Sequence, residues 1–270
     1  MKLLDQNPKL IEKVLKLSKD AGELILDIYK DYNSNFELKE DKSPLTAADI
    51  ASHNLIVEGL KNLTPSLPII SEEDSSIHFK VRSSWNQYWL IDPLDGTKEF
   101  LNKNDEFTVN IALINKNEPI FGVIYIPVSG KTYWGAIEQG SFLIKRSGTQ
   151  KSISVAKNTD KKLRIVTSRS HASKELGNFL EKIKDYKILR KGSSLKFCLI
   201  AEGLADIYPR LGPTSEWDVA AGEAIVKYAG GYIYDKDSKP MTYNQKDSYI
   251  NPNFIVSNDS DLAKKLLLFY

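Results

Sequence analysis

Sulfur and imidazole are scarce in this chain. Its 270 residues include one cysteine, Cys198, and three histidines, His53, His78 and His171. A single cysteine can form neither an intrachain disulfide nor a thiolate metal cluster. The histidines are far apart in sequence, so a two-histidine helical zinc motif is excluded as well. No apolar run approaches the roughly 18 residues of a membrane-spanning helix. The opening stretch, MKLLDQNPKL, lacks the apolar core of a secretory signal. A cytoplasmic location is the expectation, with peripheral contact at the inner face of the membrane left open. Neither sign of charge dominates: Lys+Arg is 37, Asp+Glu is 35, and the net charge is +2. That balance gives no electrostatic basis for binding a nucleic-acid polymer.

Carboxylate, by contrast, is plentiful, in a composition otherwise ordinary for a globular protein, with 41% hydrophobic and 27% charged residues. Metal chemistry, if present, should therefore use oxygen ligands and a hard cation. The length suits one large domain or two intimate halves.

Apolar residues at Leu10, Val14, Leu17, Ala21, Leu24, Ile25 and Ile28 predict a first helix, with Asn7 as N-cap and Pro8 at its first position. Pro44 argues against helix through its own position. Thr46 and Asp49 read as a capping box opening a second helix, which Pro65 and Pro68 end. Two short buried strands follow, LPIIS (67–71) and YWLI (88–91), and each runs straight into an acidic residue. Residues 107–144 read as an antiparallel meander, and the polar stretch 145–161 places a boundary near residue 155. The expected organisation is an α+β unit over 1–155 and an α/β unit over 156–270. In the second, strands at 163–168, 186–192, 205–210, 231–235 and 253–257 alternate with helices at 172–183, 194–202 and 218–228.

The most informative stretch is WLIDPLDGTKEF (89–100). Pro93 fixes φ and Gly96 permits a tight turn, so Asp92, Asp95 and a backbone carbonyl can converge. Carboxylates so close repel and call for a compensating cation. A magnesium pair bridged by Asp92 answers that need and is a common device for phosphoryl cleavage. Thr97 heads a short helical turn whose N-terminus could cradle a phosphate. A plain strand-end turn explains the same residues. Glu72 reads either as a third metal carboxylate or as a solvated acidic turn. Asp49 reads as a general base relayed by Thr97 or as a cap, and Asp218 as a metal carboxylate or an N-cap. Gly222, inside the last long helix, implies a close packing contact. The loops TSRSH (167–171), GSSLK (192–196) and YPR (208–210) suit a second phosphate or a ribose, or are plain surface.

DKSPLTAAD, SEED, YWLIDPLDGTKEF and EWDVAAGEAI, in this order, resemble the inositol-monophosphatase family of lithium-sensitive, Mg²⁺-dependent phosphatases. The likeness runs from about residue 8 to 258. Lys98-Glu99-Phe100 after the signature, together with SRSH, GSSLKFCLIAEG and YPR, is similar to the 3′(2′),5′-bisphosphate nucleotidase branch. The resemblance implies a layered α-β-α-β-α sandwich, two or three Mg²⁺ ions, and a small nucleotide bisphosphate as substrate. It implies Glu72, Asp92 and the Leu94 carbonyl as ligands of one ion, and Asp92, Asp95 and Asp218 as ligands of the second. It implies Asp49 and Thr97 as the pair that activates water, with Gly96 and Thr97 supplying backbone contacts to the scissile phosphate. His171, Ser193, Lys196 and Arg210 correspond to contacts with the nucleotide and its other phosphate. The implied reaction removes the 3′-phosphate of adenosine 3′,5′-bisphosphate, a by-product of sulfate assimilation. A same-fold enzyme acting on inositol monophosphate or fructose 1,6-bisphosphate, and a catalytically silent nucleotide-binding regulator, are the rivals. Monomer and homodimer stay open.

Overall fold

The computed structural model describes residues 3–4, 7–31, 43–157, 162–169 and 174–270. Helix α1 (Leu10–Asp31) buries the stripe Leu10, Val14, Leu17, Ala21 and Ile25, one face at helical spacing. Helix α2 (Ser43–Leu63) begins earlier than the sequence suggests. Pro44 falls within its first turn, where its missing N–H costs nothing, so Thr46 and Asp49 lie inside the helix and do not cap it.

Seven strands form the first sheet in sequential order: β1 (Ile69–Ser71), β2 (Gln87–Asp95), β3 (Thr108–Asn115), β4 (Glu118–Ile126), β5 (Lys131–Ala136), β6 (Gly140–Ile144) and β7 (Gln150–Ile153). β1 and β2 run parallel, and every later pair is antiparallel. Strand β7 lies within the stretch read as a polar interruption. It is an edge strand whose first three residues are exposed, so no apolar alternation marked it. Helix α3 (Phe79–Arg82) connects β1 to β2, and α4 (Thr97–Leu101) follows β2.

The second sheet has the order β11-β12-β10-β8-β9. Its strands are β8 (Leu163–Ser168), β9 (Tyr186–Lys191), β10 (Ile207–Arg210), β11 (Tyr232–Asp235) and β12 (Phe254–Ser257). β10, β8 and β9 are parallel, whereas β12 is antiparallel to both β10 and β11. Helices α5 (Lys174–Glu181), α6 (Leu195–Ala201), α7 (Glu216–Tyr228) and α8 (Ser260–Leu267) complete the fold. The short helices α3 and α8 carried no sequence expectation.

Three cores define five layers. One packs α1 and α2 on the outer face of the first sheet, through Ile25, Ile56, Trp89 and Ile111. The second lies between the sheets and contains α6 and α7, with Phe197, Ala221 and Ile225 against Ile124 and Phe254. The third joins Phe179 of α5 and Leu266 of α8 to Ile165 and Ile255. This is the expected α-β-α-β-α sandwich. The middle layer is unusually close to the first sheet. A Cβ added at Gly122 would lie 2.5 Å from the Ala221 carbonyl oxygen, so α7 rests directly on β4.

Candidate metal and phosphate site

The parallel pairing of β1 with β2 places Ser71 beside Ile91, so the next residues, Glu72 and Asp92, emerge side by side at the carboxyl ends of the two strands. The Glu72 amide donates to the Ile91 carbonyl at 3.2 Å and holds that register. β1 is also tied to α2 by His53 Nδ1, 2.8 Å from Ser71 Oγ. β2 does not end at Ile91 as the sequence suggested. It continues to Asp95, with an irregularity between Asp92 and Asp95 that places Asp92 opposite Asn110 and Asp95 opposite Thr108. Such a bulge re-aims side chains without ending the strand. Ser52 Oγ donates to the Pro93 carbonyl at 2.8 Å, and the Leu94 amide donates to Asp92 Oδ1 at 3.2 Å, fixing the bulge from both sides. Gly96 then adopts φ 97°, and a Cβ there would meet the Glu106 carbonyl at 3.2 Å. The glycine is therefore required by the turn into α4.

Asp218 arrives from the middle layer. The N-cap of α7 is Ser215, in extended conformation, and Asp218 is its third helical residue. Its Oδ2 accepts from the Ser215 amide at 2.8 Å. The expected N-cap role thus belongs to Ser215, and Asp218 closes the capping box while also facing the acidic cluster. Ligand oxygens of Glu72, Asp92 and Asp218 all lie within 4.8 Å of one another.

The electrostatics reflect this crowding. Burial, followed by the charges of Glu72 and Asp95, pushes the Asp92 carboxyl well above its usual range. Burial raises Glu72 to about 7, with Asp95 and Glu73 adding repulsion. Burial and the Asp95 charge raise Asp218 to about 7. Asp49 on α2 is half-buried and rises to about 8, through burial and then the charges of Glu73 and Glu72. Its capping alternative is removed by the position of the helix start. A set of carboxylates with no imidazole or thiolate suits a hard divalent cation, and their mutual repulsion is what such a cation would relieve.

Asp95 is held differently. Its Oδ2 accepts from Ser193 Oγ at 2.6 Å and from the Ser194 amide at 2.6 Å, with Asn110 Nδ2 at 3.5 Å. Beneath it, Thr108 Oγ1 lies 2.6 Å from Ser193 Oγ and 2.7 Å from Ser194 Oγ. Thr108 and Asn110 were missed in the sequence. The available signal was two polar residues at period two on a strand that is otherwise apolar.

A cavity of about 250 Å³ opens beside these groups, and its lining includes Asp95, Gly96, Thr97, Ser193, Lys196, Arg210 and Asp218. Thr97 is exposed at the start of α4, and Asp49 lies on α2, which packs against α4. Lys196 is 5% exposed, and its Nζ donates to the Ser193 carbonyl. Burial lowers it to about 8. Arg210 donates to the Pro213 carbonyl at 2.6 Å, and its Nε is buried without a hydrogen-bond partner among the described residues. His171 lies outside the described residues. Ser168 and Tyr208, within the TSRSH and YPR stretches read from the sequence, and Thr214 also line the cavity.

The sequence matches the inositol monophosphatase family over residues 7–267. It is 45% identical over 249 residues to the 3′(2′),5′-bisphosphate nucleotidase CysQ of Salmonella typhimurium, covering 92% of this chain and 99% of that protein. To the protein of the same name from Haemophilus influenzae it is 37% identical, covering 95% and 96% of the two chains. The crystal structure of CysQ from Bacteroides thetaiotaomicron superposes with a TM-score of 0.83 at 38% identity, covering 92% of this chain and 97% of that one. No helix among the described residues is long and apolar enough to cross a membrane.

Proposed function

The chain belongs to the inositol monophosphatase family, and from that premise we propose that it is a 3′(2′),5′-bisphosphate nucleotidase, a divalent-cation-dependent hydrolase that removes the 3′-phosphate of adenosine 3′,5′-bisphosphate. The observation that carries the reading is the convergence of Glu72, Asp92 and Asp218 beside a cavity that also holds Lys196 and Arg210. Acids gathered at one end of a cleft suit metal-assisted phosphoryl cleavage. Cations lining it suit a substrate with a second phosphate.

Glu72, Asp92 and the Leu94 carbonyl would hold one Mg²⁺, and Asp92, Asp95 and Asp218 another. When bound, such ions neutralise charge on the phosphoryl oxygens and make water more acidic. Asp49 is the proton acceptor for the attacking water, and the Thr97 hydroxyl relays that proton. Gly96 and Thr97 present the backbone at the start of α4 to the scissile phosphate. Lys196, Arg210 and Ser193 orient the nucleotide through its other phosphate. A phosphate held in this way would be presented to a water beside Asp49 and Thr97.

A phosphate-release panel tests the reading. Adenosine 3′,5′-bisphosphate, inositol 1-phosphate and fructose 1,6-bisphosphate are compared with Mg²⁺, with EDTA and with added Li⁺. The bisphosphate nucleotide should be the preferred substrate, EDTA should abolish release, and Li⁺ should inhibit. Preference for inositol 1-phosphate would move the chain to the other branch of the family. Binding without release from any of the three would make it a silent scaffold.

A further inference from the structure

We propose that Glu106 is a positioning residue that sets the orientation of Asp95, acting through the loop Gly192-Ser193-Ser194; the proposal rests on the reading of Asp95 as a metal ligand. Glu106 lies just before β3 and is 7% exposed. Its carboxylate accepts four hydrogen bonds from the second half of the chain. Arg169 donates through Nε to Oε2 at 2.9 Å and through its terminal nitrogen to Oε1 at 2.8 Å. Lys191 Nζ donates to Oε1 at 2.8 Å, and the Gly192 amide to Oε2 at 2.7 Å. Arg169 follows β8 and Lys191 ends β9, so one buried carboxylate draws the ends of two neighbouring strands of the second sheet onto the first.

The next residues of the chain reach Asp95. Gly192 is fastened to Glu106, and Ser193 Oγ and the Ser194 amide both donate to Asp95 Oδ2. With Asn110 Nδ2 at 3.5 Å, three donors converge on Oδ2, which fixes the rotation of that carboxylate and would leave Oδ1 as the ligand atom. Ser193 itself has φ 50°, a left-handed conformation unfavourable for a residue with a side chain. Such a conformation persists only where the surroundings over-determine it. Here the Glu106 bond to Gly192 lies on one side and the Asp95 bond on the other, with Thr108 Oγ1 on the Ser193 hydroxyl and Lys196 Nζ on its carbonyl. Gly192 has no room for a side chain, because a Cβ would lie 2.5 Å from Glu99 Cγ. The loop backbone is thus packed against Glu99, and its polar anchor at Gly192 is Glu106.

The test uses the full chain with Glu106→Gln, Ser193→Ala and the double variant. Mn²⁺ binding is titrated by electron paramagnetic resonance without substrate, and the Mg²⁺ half-saturation of phosphate release is measured in parallel. Glu106→Gln should weaken Mn²⁺ binding at one class of site about tenfold. Saturating Mg²⁺ should restore most of kcat. Ser193→Ala, read by Mn²⁺ binding alone because Ser193 also faces the nucleotide, should weaken the same class of site, and the double variant should bind Mn²⁺ no worse than the weaker-binding single variant, because both act on Asp95. Additive losses, or a lowered melting temperature with wild-type Mn²⁺ affinity, would overturn the proposal. If Glu106→Gln does not fold, Arg169→Gln, which alters a half-exposed partner, should weaken Mn²⁺ binding in the same direction, and unchanged affinity there would overturn it equally. Wild-type protein that binds Mn²⁺ but releases no phosphate would sink the phosphatase reading alone.

Discussion

Ser193 Oγ donates to Asp95 Oδ2 across 2.6 Å, joining residues 98 positions apart in the chain. Asp95 ends β2 of the first sheet, and Ser193 follows β9 of the second. The acidic cluster is thus completed only by packing of the second sheet and its middle layer, which also delivers Asp218. A chain that folded its first half alone would present Glu72, Asp92 and Asp95 without the groups that orient and complement them.

Replacing Asp95 by Asn should separate catalysis from folding. The amide oxygen can still accept from Ser193, so the loop stays in place. The lost charge is one that raises Glu72, Asp92 and Asp218. Phosphate release should fall about 100-fold or more, the upper range for disturbing a metal site. In EDTA the variant should melt a few degrees above wild type, because repulsion within the cluster is relieved. Calorimetry in EDTA and a phosphate-release assay decide both points.

The metal-free protein should lose stability as pH rises from about 4 to about 8. Unfolded carboxyls titrate near their ordinary values of about 4. In the folded chain Glu72 and Asp218 are raised to about 7 and Asp49 to about 8. Between these limits the native state holds more protons than the unfolded state, so stability falls with pH. Glu106 has the opposite sign. Burial alone would raise it, but its bonds to Arg169, Lys191 and the Gly192 amide outweigh that and hold it at about 2. Its contribution is present above about 4 and is lost as pH drops toward 2. Melting in EDTA should therefore peak near pH 4, and Mg²⁺ should stabilise more at pH 8 than at pH 6, because protons compete with the ion.

Gly222→Ala should destabilise the middle layer despite the better helix propensity of alanine. A Cβ at this position would lie 2.3 Å from Phe197 Cγ. The Phe197 ring is itself confined by Tyr208 and Phe254. Overpacking of this kind costs about 1–3 kcal/mol. Chemical denaturation should show that loss with an unchanged m-value.

The residues that carry this architecture were unequally legible in the sequence. The β1 and β2 segments announced themselves as apolar runs ending in acids, and Gly96 and Gly222 pointed correctly to a turn and a close contact. What the sequence could not show is what only tertiary packing decides. Asp49 and Asp218 looked like caps because a carboxylate near a helix start has the same local pattern whether the helix begins there or one turn earlier. Strand β7 was hidden by its exposed, polar edge. Glu106, Thr108 and Asn110 support Asp95 from residues whose relevance depends on a loop almost a hundred positions away, and no local pattern encodes that pairing.

Lys196 offers the sharpest discrimination of substrate. It lines the cavity yet is 5% exposed, and burial lowers its ammonium to about 8 while Asp95 counteracts part of that effect. At neutral pH it is mainly charged and can pair with a second phosphate. Above pH 8 it becomes neutral and loses that attraction. The KM of wild-type protein for adenosine 3′,5′-bisphosphate should therefore rise as pH climbs through about 8, whereas the KM for adenosine 3′-monophosphate, which lacks the second phosphate, should not follow it. Lys196→Met keeps an apolar side chain of similar length and removes the charge, which lies 5.4 Å from the centroid of the Tyr208 ring. It should raise the bisphosphate KM about tenfold or more, the worth of one charged hydrogen bond, and abolish the pH dependence. An equal effect on both substrates would mean that Lys196 supports the reacting phosphate rather than its distal partner.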